Sequence, residues 1–346
     1  MRTFHIRAVA AAALATLALA GCQGIGQSAA PPNTLVATKV GAAPSLNALD
    51  KDPAWANARS LSVNVTSGAN LVNGETTGVL KAVYTNDTLY MLVQYKDPTQ
   101  SVRRAPYQKQ ADGSWKQQTD PKDKGGDNNL TYEDKWAMIW NINVKGFEEQ
   151  GCAVLCHEGE GKPYGNKYTR TPGELADMWH MKSQRTIPHG LIDDQYVDST
   201  RYDKEKSPNA GRKGDPGNPE GDYTSVKLVN GKPQFMNRDG KAANAGGTYY
   251  INRGNEVPFV DNFKAGDEVA AHINNLLKGD RADIKAAHKW ENGVSTTVLA
   301  RKLQTGSQYD VQFDPSRRYA FGFAVFDNAA VRHATPDDAL FMVFGK

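Results

Sequence analysis

Cysteine is scarce in this chain: 346 residues hold three, at positions 22, 152 and 156. Three cysteines allow at most one intrachain pair, so no disulfide framework of the kind that staples small secreted domains can form. Charge of one sign is also lacking. Forty-one Lys and Arg against 38 Asp and Glu leave a formal net charge of +3, which gives no electrostatic case for a nucleic-acid partner. Nor is there an internal repeat, a phosphate-binding glycine loop, a catalytic triad or a credible acid pair, so no motif argues for an enzyme. The longest apolar run, Ala8 to Leu19, is too short to cross a membrane as a helix.

What is present begins with that run. Arg2 and Arg7 precede it and small residues close it, the charged, apolar, small pattern of a secretory signal. Leu19-Ala20-Gly21-Cys22 resembles the lipobox of bacterial lipoproteins, in which the cysteine becomes the acylated first residue. The competing reading is an ordinary signal that happens to contain a cysteine. Residues 1–21 are thus expected to be a lipoprotein signal and Cys22 the lipid anchor. Gln23, where an aspartate would retain the protein at the inner membrane, directs the expectation to an outer-membrane lipoprotein facing the periplasm or cell surface. Residues 22–40, rich in Gly, Ser, Ala and Pro, are expected to be a flexible tether.

Residues 41–346 read as a single all-β domain. Segments 61–67, 78–97, 134–144, 294–303, 319–329 and 339–345 are rich in β-branched and aromatic residues, and Thr85-Asn86-Asp87-Thr88 supplies hairpin-turn chemistry. Strands near both ends argue for a β-sandwich whose first and last strands share sheets. Between them Thr171-Pro172-Gly173-Glu174 has the form of a helix start, which predicts a short helix over about 172–183. A second short helix is expected within 265–279. Residues 187–265 are polar and rich in Gly, Pro, Asp and Lys, a long insertion of the kind that serves as a functional excursion or flap.

The chemistry concentrates in Cys152-Ala153-Val154-Leu155-Cys156-His157. Haem c is held by two cysteine thioethers, with the histidine after the second cysteine ligating iron. The usual spacing has two residues between the cysteines and this one has three, a departure that some c-type cytochromes share. Two other readings compete. A disulfide between these cysteines closes a loop too small to stabilise much and leaves His157 without a role. A structural zinc site needs four ligands, and no second Cys or His pair completes it.

Six segments add a resemblance: LDKDPAWANA, LYMLVQYKDPTQS, DKWAMIWNI, DMWHMK, KWENGVSTTVLARKL and YAFGFAVFDNA. In this order, over roughly residues 44–346, they resemble the ethylbenzene dehydrogenase-related haem-binding family, named for the cytochrome subunit of molybdenum enzymes. The resemblance implies a β-sandwich related to family 9 carbohydrate-binding modules with haem at one end. Family haem is of b type, held by a methionine and a lysine. The place of that methionine is taken here by Cys152, Cys156 and His157, which implies one covalent haem c with His157 as proximal ligand.

For the distal ligand His333, in the loop before the last strand, is preferred. His180, beside Met178, Trp179 and Met181, is the alternative, against the plainer reading of a histidine packed near the haem edge or held by a carbonyl. Met178 and Met181 are further candidates. Trp179 is expected against the porphyrin, and Lys182 and Arg185 on its propionates, against the plainer reading of a solvated helix face. Met138 and Trp140, alternating in a strand, read as core. His189, His272 and His288 carry no argument beyond their type. The expected function is a lipid-anchored monohaem cytochrome c that passes single electrons to redox partner proteins and is not itself an enzyme. The alternatives are a haem-bearing subunit of a molybdenum oxidoreductase complex, or a cofactor-free carbohydrate-binding or adhesion lipoprotein.

Overall fold

Twelve strands make one continuous sheet in the computed structural model, which describes residues 31–123 and 126–345. In chain order they are β1 (Thr34–Lys39), β2 (Leu61–Val65), β3 (Thr76–Tyr84), β4 (Thr88–Lys96), β5 (Lys135–Asn141), β6 (Ala176–Lys182), β7 (Asp193–Val197), β8 (Arg212–Gly214), β9 (Lys285–Glu291), β10 (Val294–Lys302), β11 (Tyr319–Phe326) and β12 (Leu340–Phe344). Neighbours run β8-β7-β6-β5-β11-β12-β1-β3-β4-β10-β9, with β2 paired to β3 off that path. All pairs are antiparallel except those of β1, which lies parallel to both β12 and β3. Cys22 lies outside the described residues.

A sheet this long twists until its two halves face one another. One hydrophobic core takes Trp136, Met138, Trp140, Trp179, Phe321 and Phe323 from one half and Leu80, Met91, Val93 and Leu299 from the other. Trp136 Nε1 donates to Thr297 Oγ1 at 3.0 Å, joining β5 to β10 across the core. At the outer ends, backbone hydrogen bonds Ile192 to Ile284 and Ala286 to Gly190 tie the segment before β7 to the one leading into β9. The result is the expected all-β sandwich, and its first and last strands do share a sheet. The first of them is β1, in a stretch expected to be tether. Leu35 and Ala37 are fully buried in the core, so the freely solvated part of residues 22–40 cannot extend through 34–39.

The expected helix over 172–183 is a strand. The Thr171–Glu174 turn does form, with the Thr171 backbone N–H donating to Glu174 Oε2 at 3.0 Å. Beyond it β6 pairs along its whole length with β5 and along five residues with β7. The strand is buried on both faces, so it has no polar side to announce its period of two, and tertiary pairing outweighs the capping signal. The second expected helix is likewise two short strands, Glu268–Val269 and His272–Asn274.

The 187–265 insertion is built into the fold. It supplies β7 and β8 to the main sheet, and its remainder packs with residues 105–117 around a second core of Tyr107, Trp115, Met236, Ile251 and Ile273.

Period two assigns the side chains of β6. Asp177, Trp179 and Met181 face the sandwich core, while Met178, His180 and Lys182 face outward into a cavity. Trp179 is therefore not a cofactor-facing residue: it lies 4.9 Å from the Trp140 ring and 6.1 Å from that of Phe313, fully buried. Trp179→Ala is expected to cost about 3–5 kcal/mol of unfolding free energy, the range for a large aromatic deleted from a core. Urea denaturation followed by circular dichroism measures it, and a loss below about 1 kcal/mol would contradict the core assignment.

Candidate functional site

The motif sits where a short helix, Phe147–Gln150, runs into a 3-10 turn over Gly151–Leu155. Gly151 adopts φ +59°, and a Cβ there would come within 3.3 Å of the Ala339 backbone, so glycine is required for this turn. Cys156 and His157 then pair with Asn166 and Lys167. The turn lays Cys152 directly on β11: a Cβ on Gly322 would meet Cys152 Cβ at 2.7 Å and its Sγ at 2.9 Å. Both cysteines are free thiols, so the disulfide reading has no counterpart here.

Cys152, Cys156, His157, His180, His333 and Met178 all line one cavity of about 670 Å³ on the outer face of β5, β6 and β11. That volume lies in the range of cofactor and small-ligand sites. The outward-facing residues of three adjacent strands form its floor and loops form its walls. Ile139, Ala324 and Phe326 add apolar surface, while Lys135, Lys182, Arg185 and Arg212 line it with positive charge.

The sulfur groups differ. Burial pushes the Cys152 thiol up to about 11, with Cys156 adding to it. Cys156 is exposed, with Lys167 Nζ 3.0 Å from its Sγ. The three histidines differ as well. The His157 ring stacks on Tyr168 at 3.7 Å, and its Nε2 lies 3.1 Å from the Tyr168 carbonyl oxygen. His333 places Nδ1 2.6 Å from the Val331 carbonyl, and burial followed by the charge of Lys167 pushes its pKa down to about 3. His180 places Nδ1 3.4 Å from Gln195 Oε1, and its buried Nε2 has no hydrogen-bond partner. Burial, then Lys182 and Lys135, holds His180 well below the usual imidazole range. His180 and His333 pack on the same ring, with centroids 5.7 and 4.7 Å from that of Phe326. Two histidines are thus held neutral beside the cysteine pair, the state in which an imidazole ligates a metal.

The cations separate into two groups. Lys182 pairs with Asp193 and with Asp222 at 2.9 Å, and Arg185 pairs with Glu133 at 2.5 Å and with Asp222 at 3.0 Å. The two residues expected to meet propionates are thus already matched by carboxylates. Lys135 and Arg212 make no ion pair among the described residues. Lys135 Nζ donates to the Ala330 carbonyl at 2.9 Å and lies 4.1 Å from the centroid of the Phe326 ring. Burial, then Arg185, pushes Lys135 well below the usual lysine range. Neither residue stands out in the sequence. Lys135 faces the cavity because it alternates with the core residue Trp136, and that alternation within DKWAMIWN was its available signal.

Of the remaining histidines, His288 lies 3.0 Å from Thr297 Oγ1 and His272 is buried in the smaller lobe; neither they nor His189 line this cavity. Met181 faces the core, as do Met138 and Trp140, the latter two as expected.

A model of the ethylbenzene dehydrogenase family matches residues 52–337. No curated protein matches the sequence. Among solved structures, the fold is similar to a family 9 carbohydrate-binding module from Caldicellulosiruptor kristjanssonii in complex with glucose, at 7% identity and a TM-score of 0.35, covering 90% of this chain and 95% of that one. The same module in complex with cellotriose gives 9% identity and a TM-score of 0.34, covering 90% and 93%. At those scores the likeness bears on neither ligand nor activity.

Asp222 anchors the matched cations. Burial alone would raise its pKa, but Lys182 and Arg185 hold it well below the usual carboxylate range. Asp222→Asn removes a shared counter-charge from buried Lys182 and Arg185, and is expected to cost about 3 kcal/mol in chemical denaturation. An unchanged midpoint would show that the network is not held by Asp222.

Proposed function

We propose that this chain, which belongs to the ethylbenzene dehydrogenase family, is a monohaem c-type cytochrome that passes single electrons between redox partner proteins and performs no bond chemistry of its own. The observation that carries this reading is the convergence of Cys152, Cys156, His157, His180 and His333 on one cavity, with the buried Nε2 of His180 unpartnered. A histidine nitrogen buried without a partner is costly unless something bound there uses it or packs against it. Gly322 adds to the fit by leaving room for Cys152 to lie flat on β11.

Haem supplies a one-electron couple whose potential is set by axial ligands, burial and nearby charge. Cys152 and Cys156 are the thiols for its two thioether bonds, and His157 is the proximal ligand. For its Nε2 to ligate, the ring must give up the Tyr168 carbonyl. His333 would be the distal ligand, because its Nδ1 is oriented by the Val331 carbonyl while its Nε2 has no hydrogen-bond partner among the described residues, the usual arrangement of a ligating imidazole. His180, whose second nitrogen is also free, is the alternative. Arg212 and Lys135 meet the propionates in place of the already paired Lys182 and Arg185. Ile139, Met178 and Phe326 exclude water from the apolar side. Cys22 carries lipid and anchors the protein at the outer membrane, in the periplasm or at the cell surface. A second reading, an electron-transfer subunit of a molybdenum oxidoreductase complex, draws on the family match; co-purification with a catalytic subunit from the native cell distinguishes it.

Two experiments test the proposal. Expressed with a cytochrome c maturation system, the protein is expected to keep haem through denaturing electrophoresis and give a c-type pyridine haemochrome. The Cys152→Ala, Cys156→Ala double variant should lose both signals. A wild-type protein without bound haem overturns the reading and favours a cofactor-free binding protein.

The axial pair is tested by spectroscopy on the haem-loaded chain. His333→Ala is expected to convert the ferric spectrum from low to high spin and open the ferrous form to carbon monoxide, with covalent attachment retained. If His180→Ala does this instead while His333→Ala stays low-spin, the ligand comes from β6.

A further inference from the structure

On the opposite face of β6 and β7, away from the cavity, the charge balance is reversed. Asp177, Asp194 and Asp310 are buried, and one carboxylate oxygen from each lies within 4.8 Å of the others. Arg301 is the cation among them, with Nη2 3.2 Å from Asp177 and 3.1 Å from Asp310 and Nε 3.8 Å from Asp194. A second observation is independent of that triad. Asp215 lies outside it, is 2% exposed, lies against the Asp310 carboxyl group, and receives no hydrogen bond from an N–H or hydroxyl donor on either oxygen among the described residues. Asp283 adds a further carboxylate whose Oδ1 is buried and unpartnered and which faces Asp194. Asp194 itself accepts no hydrogen bond, and Asp177 and Asp310 each leave Oδ1 unused. Four carboxylates thus surround the Arg301 guanidinium, with Asp215 adjoining at Asp310, and a buried ionised carboxylate with no partner is among the most costly groups a fold can hold.

A second acidic triad among the described residues, Asp97, Asp134 and Asp327, shows what a satisfied cluster looks like. Asp134 accepts from the backbone N–H groups of Ser101 and Asn328 at 2.5 and 3.0 Å, and Asp97 accepts from that of Thr99 at 3.3 Å. Asp327 accepts from the Thr99 and Ser101 hydroxyls, both at 3.4 Å. Among the fully buried oxygens of that triad in the described residues, Asp97 Oδ2 is the one without a partner. No comparable set of donors serves Asp194 and Asp215.

We propose that Asp177, Asp194 and Asp310, with Asp215 and Asp283 adjoining them, bind one Ca²⁺ ion. The donor set is all carboxylate oxygen, which suits a hard cation and lacks the nitrogen and sulfur that zinc or copper would favour. Calcium tolerates irregular arrangements of six to eight oxygens, whereas Mg²⁺ demands near-ideal octahedral geometry and gives up its water reluctantly. In the protein alone, burial against the pull of Arg301 pushes Asp177 up to about 7, and burial with Asp310 pushes Asp215 up to about 9. A divalent ion would remove the need for those protons. The ligands come from β6, β7, the turn after β8, the segment before β9 and the loop between β10 and β11, so the ion would join five parts of the chain at one point.

The test uses the full chain, stripped with EGTA and titrated with CaCl₂ by calorimetry, with thermal melting in parallel. One Ca²⁺ per chain is expected, with a rise in Tm of several degrees at ~1 mM Ca²⁺ and a smaller one with Mg²⁺. Asp194→Asn and Asp215→Asn should each weaken Ca²⁺ binding at least tenfold. In EGTA both variants should melt no lower than the wild type, because asparagine is uncharged like the protonated acid that burial favours at each position without the ion. Absence of Ca²⁺ uptake by the wild-type chain overturns the proposal. So do Asn variants that bind as tightly as wild type, or that melt well below it in EGTA, since the carboxylates would then serve only the apo fold.

Discussion

The whole arrangement depends on β6 being a strand buried on both faces. Because successive side chains of a strand point to opposite sides, the seven residues Ala176–Lys182 divide between two environments. Trp179 and Met181 fill the sandwich core, while Met178, His180 and Lys182 form the cavity floor. A helix over the same residues would have set Trp179 and His180 only about 100° apart around its axis. As a strand the chain must hold them apart, and the register of β6 with β5, Trp179 opposite Met138 and His180 opposite Ala137, fixes which goes where. A slip of one residue would exchange core and cavity entirely.

The same alternation separates charge. Asp193 and Asp194 are neighbours in β7 and face opposite ways: Asp193 meets Lys182 and Arg281, whereas Asp194 joins the carboxylates around Arg301. The outer side therefore has more cations than its carboxylates match, with Lys135 and Arg212 left over, and the inner side has more carboxylates than Arg301 can match. Each surplus calls for a ligand of the opposite sign, an anion outside and a cation inside. Neither excess is visible in the near-neutral formal charge of the chain, because it arises from how residues are sorted and not from how many there are.

Much of the fold was legible. Six segments rich in β-branched and aromatic residues became strands, because each carries its own local preference into a sheet that rewards it. The cysteine–histidine motif and His333, far apart in sequence, line the same cavity. What was not legible depended on partners distant in sequence. β1 lies in a stretch whose glycines and prolines suggested a tether, and it is held by β12 from the far end of the chain. The Thr171–Glu174 turn carries a genuine helix-start hydrogen bond and yet leads into a strand, since two waiting strand edges outweigh a local cap. Lys182 and Arg185 looked free on a supposed helix and are bound by Asp193, Asp222 and Glu133, from three separate parts of the chain.

The two faces of β6 and β7 cannot be adjusted independently. His180 lies opposite Asp193 across the pair, Trp179 lies opposite Asp194, and Gln195, whose side chain faces His180 Nδ1, directly follows Asp194. Any change in the spacing of Asp177 and Asp194 acts on the backbone that carries His180 and Gln195. Close packing on the core side, where Trp140, Trp179, Phe313 and Phe321 interlock, leaves little slack to absorb such a change. A cation bound among these carboxyl groups would replace their protons and hold this strand pair at a fixed spacing. The geometry of the cavity floor is thus set from its reverse side, by the balance of charge around Arg301 as much as by the residues that line the cavity itself.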